Sequence, residues 1–238
     1  MTIIYTTASQ HLPENKMRLY PTKVINIIGG PGCDKSLFTA AIILYLSLHH
    51  KSVEQIPDFA KAGADIISLG AFTANLPNLS INGGVGNDAV NFNGDITFAT
   101  DANLDVDLQN DDATPGTDLV AFTSNANLIL SGTGIATLKV SQNVAFSGGS
   151  SLETTNGDLT IEANQQATPT SGSFYGVNVY GVVRINGTGN LVVKGKGGDT
   201  GNSQYGIFVT NAGLLSGGTS GTVSVQGTGG TSSGGGYG

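Results

Sequence analysis

The sequence has no Trp, one Cys, two Met and three His in 238 residues, and ten Lys plus Arg against seventeen Asp plus Glu. Each shortage excludes a class of function. A lone Cys33 rules out an internal disulfide and a cysteine-paired structural zinc. A net charge of -7 with so few bases leaves no broad basic surface for phosphate backbones, so nucleic acid is not expected as a partner. The apolar run at residues 37–48 stops at His49, His50 and Lys51, short of the about 20 residues a membrane-spanning helix needs. Residues 1–20 lack a basic start, an apolar stretch and a small-residue cleavage site, so no targeting peptide is expected there.

The scarcity is uneven along the chain. Residues 1–62 hold six of the ten bases, every His, Met and Cys, and only three of the 36 Gly. Beyond residue 62 come 33 Gly, thirteen acids and four bases, with no His, Cys or Met. Two unlike pieces therefore meet near residues 61–63. The second lacks the side chains most used as nucleophile, proton shuttle and soft ligand, and no catalytic residue is assigned to it.

In the first piece, residues 23–28 (KVINII) form a continuous β-branched run suited to a buried strand. GGPGCDKS comes next at residues 29–36, and a helix is expected from near Leu37, apolar on nearly every face and able to cap the open end of the second piece. Gly29, Gly32, Lys35 and Ser36 lie where a phosphate loop needs backbone N–H groups, an ammonium and a magnesium-binding hydroxyl. Asp34 stands where that loop has its second glycine. The run VINIIGGPGCDKSLFTAAIILYL with SVEQIPDFAK resembles the first strand, loop, helix and second strand of phage-type P-loop ATPases and kinases. The resemblance implies Lys35 as the phosphate-binding lysine and Ser36 as the magnesium ligand. The carboxylate of Asp34 beside a polyphosphate, and the lack of later strands or a second acidic motif, predict no ATP hydrolysis.

From Ile66 onward, apolar pairs and triplets recur about every ten residues between Gly, Asn, Asp, Ser and Thr, the rhythm of many short strands. Leu104, Val106 and Leu108 enclose Asp105 and Asp107; similar runs start at Leu128, Leu159, Val177, Leu191 and Val223. A β-sandwich and a parallel β-helix both fit this rhythm. Internal repetition favours the helix: YGVNV at Tyr175 returns as YGIFV at Tyr205, and Tyr237-Gly238 opens a third copy, at spacings of 30 and 32. NLVVKGKGGDT from Asn190 is echoed by TVSVQGTGGTS from Thr222. One unit then holds three short strands, one coil of a three-sided helix, placing Val177 over Ile207 and Val193 over Val225. Asn186-Gly187 is the best hairpin signal for the rival reading.

With GADIISLGAF, NLSINGGVGNDAVNFNGDITF, NGDLTIEA and the GTG and GTGG turns, residues 63–238 resemble the repeats of secreted adhesins of the filamentous-haemagglutinin type. The resemblance implies a right-handed parallel β-helix, an adhesive or scaffolding role at the cell surface or outside the cell, host or surface carbohydrate or protein as partner, and no catalytic residue. The expected fold is thus mainly β, a right-handed parallel β-helix over residues 63–238, preceded by a short N-terminal βα segment in residues 1–62. The chain ends inside a repeat, so it is read as a piece of a longer one, and the two parts as a natural or accidental fusion. If the P-loop-like segment sets its fate, a cytoplasmic nucleotide-binding protein is the alternative; a β-helical carbohydrate-active enzyme is another.

Two sites compete for attention in the second piece. GGVGNDAVN at residues 83–91 matches a calcium-binding nonapeptide, with Asp88 as the ligand and a neighbouring coil needed to complete the oxygen shell. A glycine-rich corner explains the same residues. Asp105, Asp107, Asp111 and Asp112 invite a glycosidase reading, since Asp105 and Asp107 share one strand face ~7 Å apart. Polar alternation on an exposed face explains them as well, and Arg184 is the single arginine available to a lyase mechanism.

Overall fold

The computed structural model describes residues 25–26, 42–44, 66–76, 78–83, 86–109, 116–202 and 204–231. Two short strands lead, β1 (Ile25–Asn26) and β2 (Ile42–Leu44). Six coils of three strands come after them. The first is β3 (Ile66–Leu69), β4 (Phe72–Leu76) and β5 (Leu79–Asn82); the second is β6 (Ala89–Phe92), β7 (Ile96–Phe98) and β8 (Leu104–Asp107). The third and fourth are β9 (Leu119–Phe122), β10 (Asn127–Leu130), β11 (Ala136–Val140), then β12 (Asn143–Phe146), β13 (Ser151–Thr154) and β14 (Leu159–Ala163). The fifth is β15 (Val177–Val179), β16 (Val182–Ile185) and β17 (Leu191–Lys196), and the sixth β18 (Ile207–Val209), β19 (Leu214–Ser216) and β20 (Val223–Thr228).

Every third strand joins the same sheet, so the chain visits three walls in turn. From β3 onward all pairings are parallel. The architecture is mainly β and compatible with a parallel β-helix. Val177 pairs with Ile207 and Val193 with Val225, as the repeat predicts. Asn186-Gly187 is a corner and not a hairpin, since β16 and β17 lie in different sheets; the Gly187 N–H donates to the Thr155 carbonyl of the coil before, at 2.7 Å.

The helix expected from Leu37 is overturned where the structure describes it. Ile42–Leu44 is a strand, pairing parallel with β3 (Ile42 with Ile67) and antiparallel with β1 (Ile25 with Leu44). A short apolar run with β-branched residues suits either conformation, and here a sheet edge supplies partners for its backbone groups. The βα segment is therefore ββ over the described residues, among which no helix is long and apolar enough to cross a membrane.

The core is one column of inward side chains fed by alternate residues of each strand, because successive side chains point to opposite faces. Strand β9 shows the pattern, with Val120 and Phe122 buried and Leu119 and Ala121 partly exposed. Phe92, Phe122 and Phe146 stack in register, with ring centroids 4.8 and 4.3 Å apart. Leu104, Ala136, Leu159 and Leu191 form a second fully buried column. In the sixth coil Val223, which continues this column, and Val225, which continues that of Val193, are 54% and 49% exposed, since no described coil covers them.

Strand pairing cannot serve the N–H groups at the corners, and side chains of the preceding coil do so instead. The Asn190 N–H donates to Asp158 Oδ1 at 2.7 Å, and the Thr222 N–H to Asn190 Oδ1 at 3.0 Å. On the same column Asn78 accepts from the Asn103 N–H, and Asn103 from the Ile135 N–H. At the next corner Asp95 accepts from both nitrogens of Asn127. Asn and Asp combine a short side chain with a carbonyl-like oxygen, which is why they populate these positions.

Candidate functional site

The outer walls differ in chemistry. The third wall, built on β8, β11, β14 and β17, carries a ladder of alternating charge: Asp107, Lys139, Glu162 and Lys194 are successive register partners. Lys194 Nζ is 2.9 Å from Glu162 Oε1, and Lys139 Nζ 3.9 Å from Asp107 Oδ2. Asp105 and Asp107 share this outer face, as the alternation predicts. Partial burial, then repulsion from Asp107, pushes the Asp105 carboxyl above its ordinary value, against the pull of Lys139. A ladder of pairs along an outer wall neutralises charge. Asp111 and Asp112 lie outside the described residues.

On the second wall Arg184 Nε and Nη2 reach Glu153 Oε2 at 3.0 and 2.6 Å, and Asn186 Nδ2 reaches it at 3.0 Å. The lone arginine of the repeat piece is thus committed to an ion pair. Burial alone would raise the Glu153 carboxyl, but the bonds from Asn186 and Arg184 and the guanidinium charge outweigh it and hold it below the usual glutamate value. A depressed folded value stabilises the protein above the unfolded value of about 4.3, and that stability is lost as pH falls through the folded one. Glu153→Gln is expected to cost about 1 kcal/mol at neutral pH, with urea midpoints of variant and parent converging as pH falls below the ordinary glutamate value of about 4.3.

Asp88 lies at the corner between the third and first walls and is buried, as is its register equivalent Asp118 in the next coil. The Asp88 N–H donates to Asp118 Oδ1 at 2.7 Å, and the Asp118 N–H to Ser141 Oγ at 3.0 Å. Ser141 Oγ is also 2.6 Å from Asp118 Oδ2. One coil further, Gln166 Nε2 donates to the Ser141 carbonyl, and Asn164 Oδ1 accepts from the Thr170 N–H at 2.7 Å. Asn164 holds φ at 58°, a left-handed conformation that Asn tolerates better than most residues. Calcium wants six or more oxygens. The structure brings Asp118 to Asp88, but among the described residues no three Asp, Glu, His or Cys side chains converge as a metal group. Carboxylates, hydroxyls and amides bonded coil to coil in this way can close a corner.

The first wall is neutral. Its outward columns read Ala89, Leu119, Asn143 and Asn91, Ala121, Ala145, Asn178, Phe208 through the register. Small side chains give way to rings in the last two coils. Tyr175, Tyr205 and Phe208 pack with centroids 5.1–5.3 Å apart, and Tyr180 lies 6.3 Å from Phe208. Tyr180 is 44% exposed, and Asn178 Oδ1 beside the rings is covered and without a hydrogen-bond partner. The sequence repeat pairs Tyr175 with Tyr205 but does not reveal the cluster. Its signal is a second aromatic in each copy, Tyr180 in YGVNVY and Phe208 in YGIFV.

The phosphate-loop positions Gly29, Gly32, Lys35 and Ser36, with Asp34, lie outside the described residues. Comparisons with protein-family models, curated proteins and solved structures found no match for the chain.

Proposed function

We propose that the chain is a non-catalytic structural and adhesive element of a cell surface, in which right-handed β-helical coils hold long flat walls away from an anchor and offer them to surface carbohydrate or protein. The observation that carries this reading is the in-register parallel pairing of equivalent residues through successive coils, which yields extended walls. Right-handedness is the sense that parallel crossovers take in nearly all proteins. Three acids of the outer ladders, Asp107, Glu153 and Glu162, are matched to Lys139, Arg184 and Lys194. Adhesion needs only area and display, which stacked coils supply additively.

The raised carboxyl of Asp105 beside Asp107 is the one feature that favours the alternative, a carbohydrate-active enzyme. One experiment separates the two. Beads coated with the chain are tested for retention on neutral and acidic polysaccharide films, while the same polysaccharides are assayed in solution for newly released reducing ends. Retention without release is expected; release abolished by Asp105→Asn establishes the enzyme and ends the adhesive reading.

A further inference from the structure

The adhesive reading leaves open which wall makes contact and with what chemistry. The three walls are not equivalent. Charged ladders on the second and third satisfy one another along the stack. The described outward columns of the first wall carry no charged side chain from the second coil to the sixth, which removes ionic partners from consideration there.

At one end of this neutral wall the relief changes. Ala121 and Ala145 form a low floor, and beyond Asn178 the rings of Tyr175, Tyr180, Tyr205 and Phe208 rise from it. A cluster of four rings kept on the outside of a repeat protein withholds apolar area from the core. Elsewhere the large aromatic side chains Phe92, Phe122 and Phe146 are fully buried. Three of the four outer rings carry a phenol, so the step presents ring faces and hydroxyls together.

We infer that this step is a subsite for an uncharged pyranose chain with equatorial hydroxyls, such as a β-linked glucan. Such sugars expose two faces of axial C–H groups that pack on electron-rich ring faces, while their hydroxyls meet polar groups at the rim. The phenols supply that rim. The inference rests on the adhesive reading and narrows it to one site.

The absence of Trp makes tyrosine fluorescence a direct probe, because seven Tyr are the only strong emitters. The full chain is titrated with cellohexaose, with polygalacturonate oligomers as the charged comparison. Saturable change with cellohexaose alone is expected. Tyr180→Ala is expected to weaken it at least about tenfold, the loss that comes with removal of one stacking ring, with Tyr180→Phe close to the parent. Ile129→Ala, an exposed apolar change on the second wall, should leave binding unchanged, and matched melting curves exclude misfolding. No saturable change at millimolar cellohexaose overturns the inference. So does equal binding by Tyr180→Ala, or a monomer–dimer equilibrium that Tyr180→Ala abolishes, which assigns the step to a second copy. Undiminished retention of Tyr180→Ala beads on polysaccharide films overturns this subsite alone, whereas failure of the parent beads overturns the adhesive reading.

Discussion

Phe122→Ala is expected to lower the free energy of unfolding by about 3–5 kcal/mol, read as a shift of the urea midpoint at unchanged slope. Phe122 is fully buried, and its ring stacks on Phe92 at 4.8 Å and on Phe146 at 4.3 Å. Truncation removes the ring from two contacts at once and opens a void in the middle of the stack. Collapse cannot fill it, because each neighbour is fixed by the register of its own strand, Val120 with Val144 and Val90 among them. Phe122→Leu keeps most of the volume and is expected to cost about 1 kcal/mol. Equal losses for the two variants would mean that the ring column does not hold these coils together.

Gly189→Val is expected to be nearly as damaging, by about 1–3 kcal/mol or more, through overpacking. Gly134, Gly157, Gly189 and Gly221 form a column at the corner before the third wall, where each coil lies against the backbone of the previous one. A Cβ on Gly189 would run into the Gly157 carbonyl oxygen, and one on Gly221 into that of Gly189. These obstacles are backbone and cannot swing away like a side chain. The corner would have to open, pulling the Asn190 N–H from Asp158 Oδ1. A far-ultraviolet melt places the loss, and an unchanged melting temperature would show that the corners are looser than their geometry. Gly148, where an added Cβ would meet nothing within 4 Å, is the control, and Gly148→Ala is expected to change little.

The alternation of apolar and polar residues makes most strands legible, because one face of every wall must be buried. Leu104-Val106 and Leu191-Val193 stand out in this way as β8 and β17. The repeat at Tyr175 and Tyr205 identifies vertical neighbours, whose rings lie 5.2 Å apart. Less visible is the coil length. Along the third wall equivalent residues are Leu79, Leu104, Ala136, Leu159, Leu191 and Val223, so steps of 25 and 23 are interleaved with steps of 32. Short coils differ in their corners, where sequence is free to vary, and self-similarity is lost there. Ile42–Leu44 reads as helix in the sequence because a short apolar run carries no periodicity that separates strand from helix. The ring cluster is hidden because outward direction is a property of register: Phe208 is revealed as surface only once it stands beside Asn178.

The arrangement also fixes how the entropy of folding scales. A parallel pairing joins residues only one coil apart, such as Leu159 and Leu191, so adding a coil closes a loop of about thirty residues whatever the total length. The cost per coil stays constant while each new coil finds a ready template in the strands before it. Such a chain can order itself progressively from one end as it emerges from a narrow passage, with no need for its distant ends ever to meet.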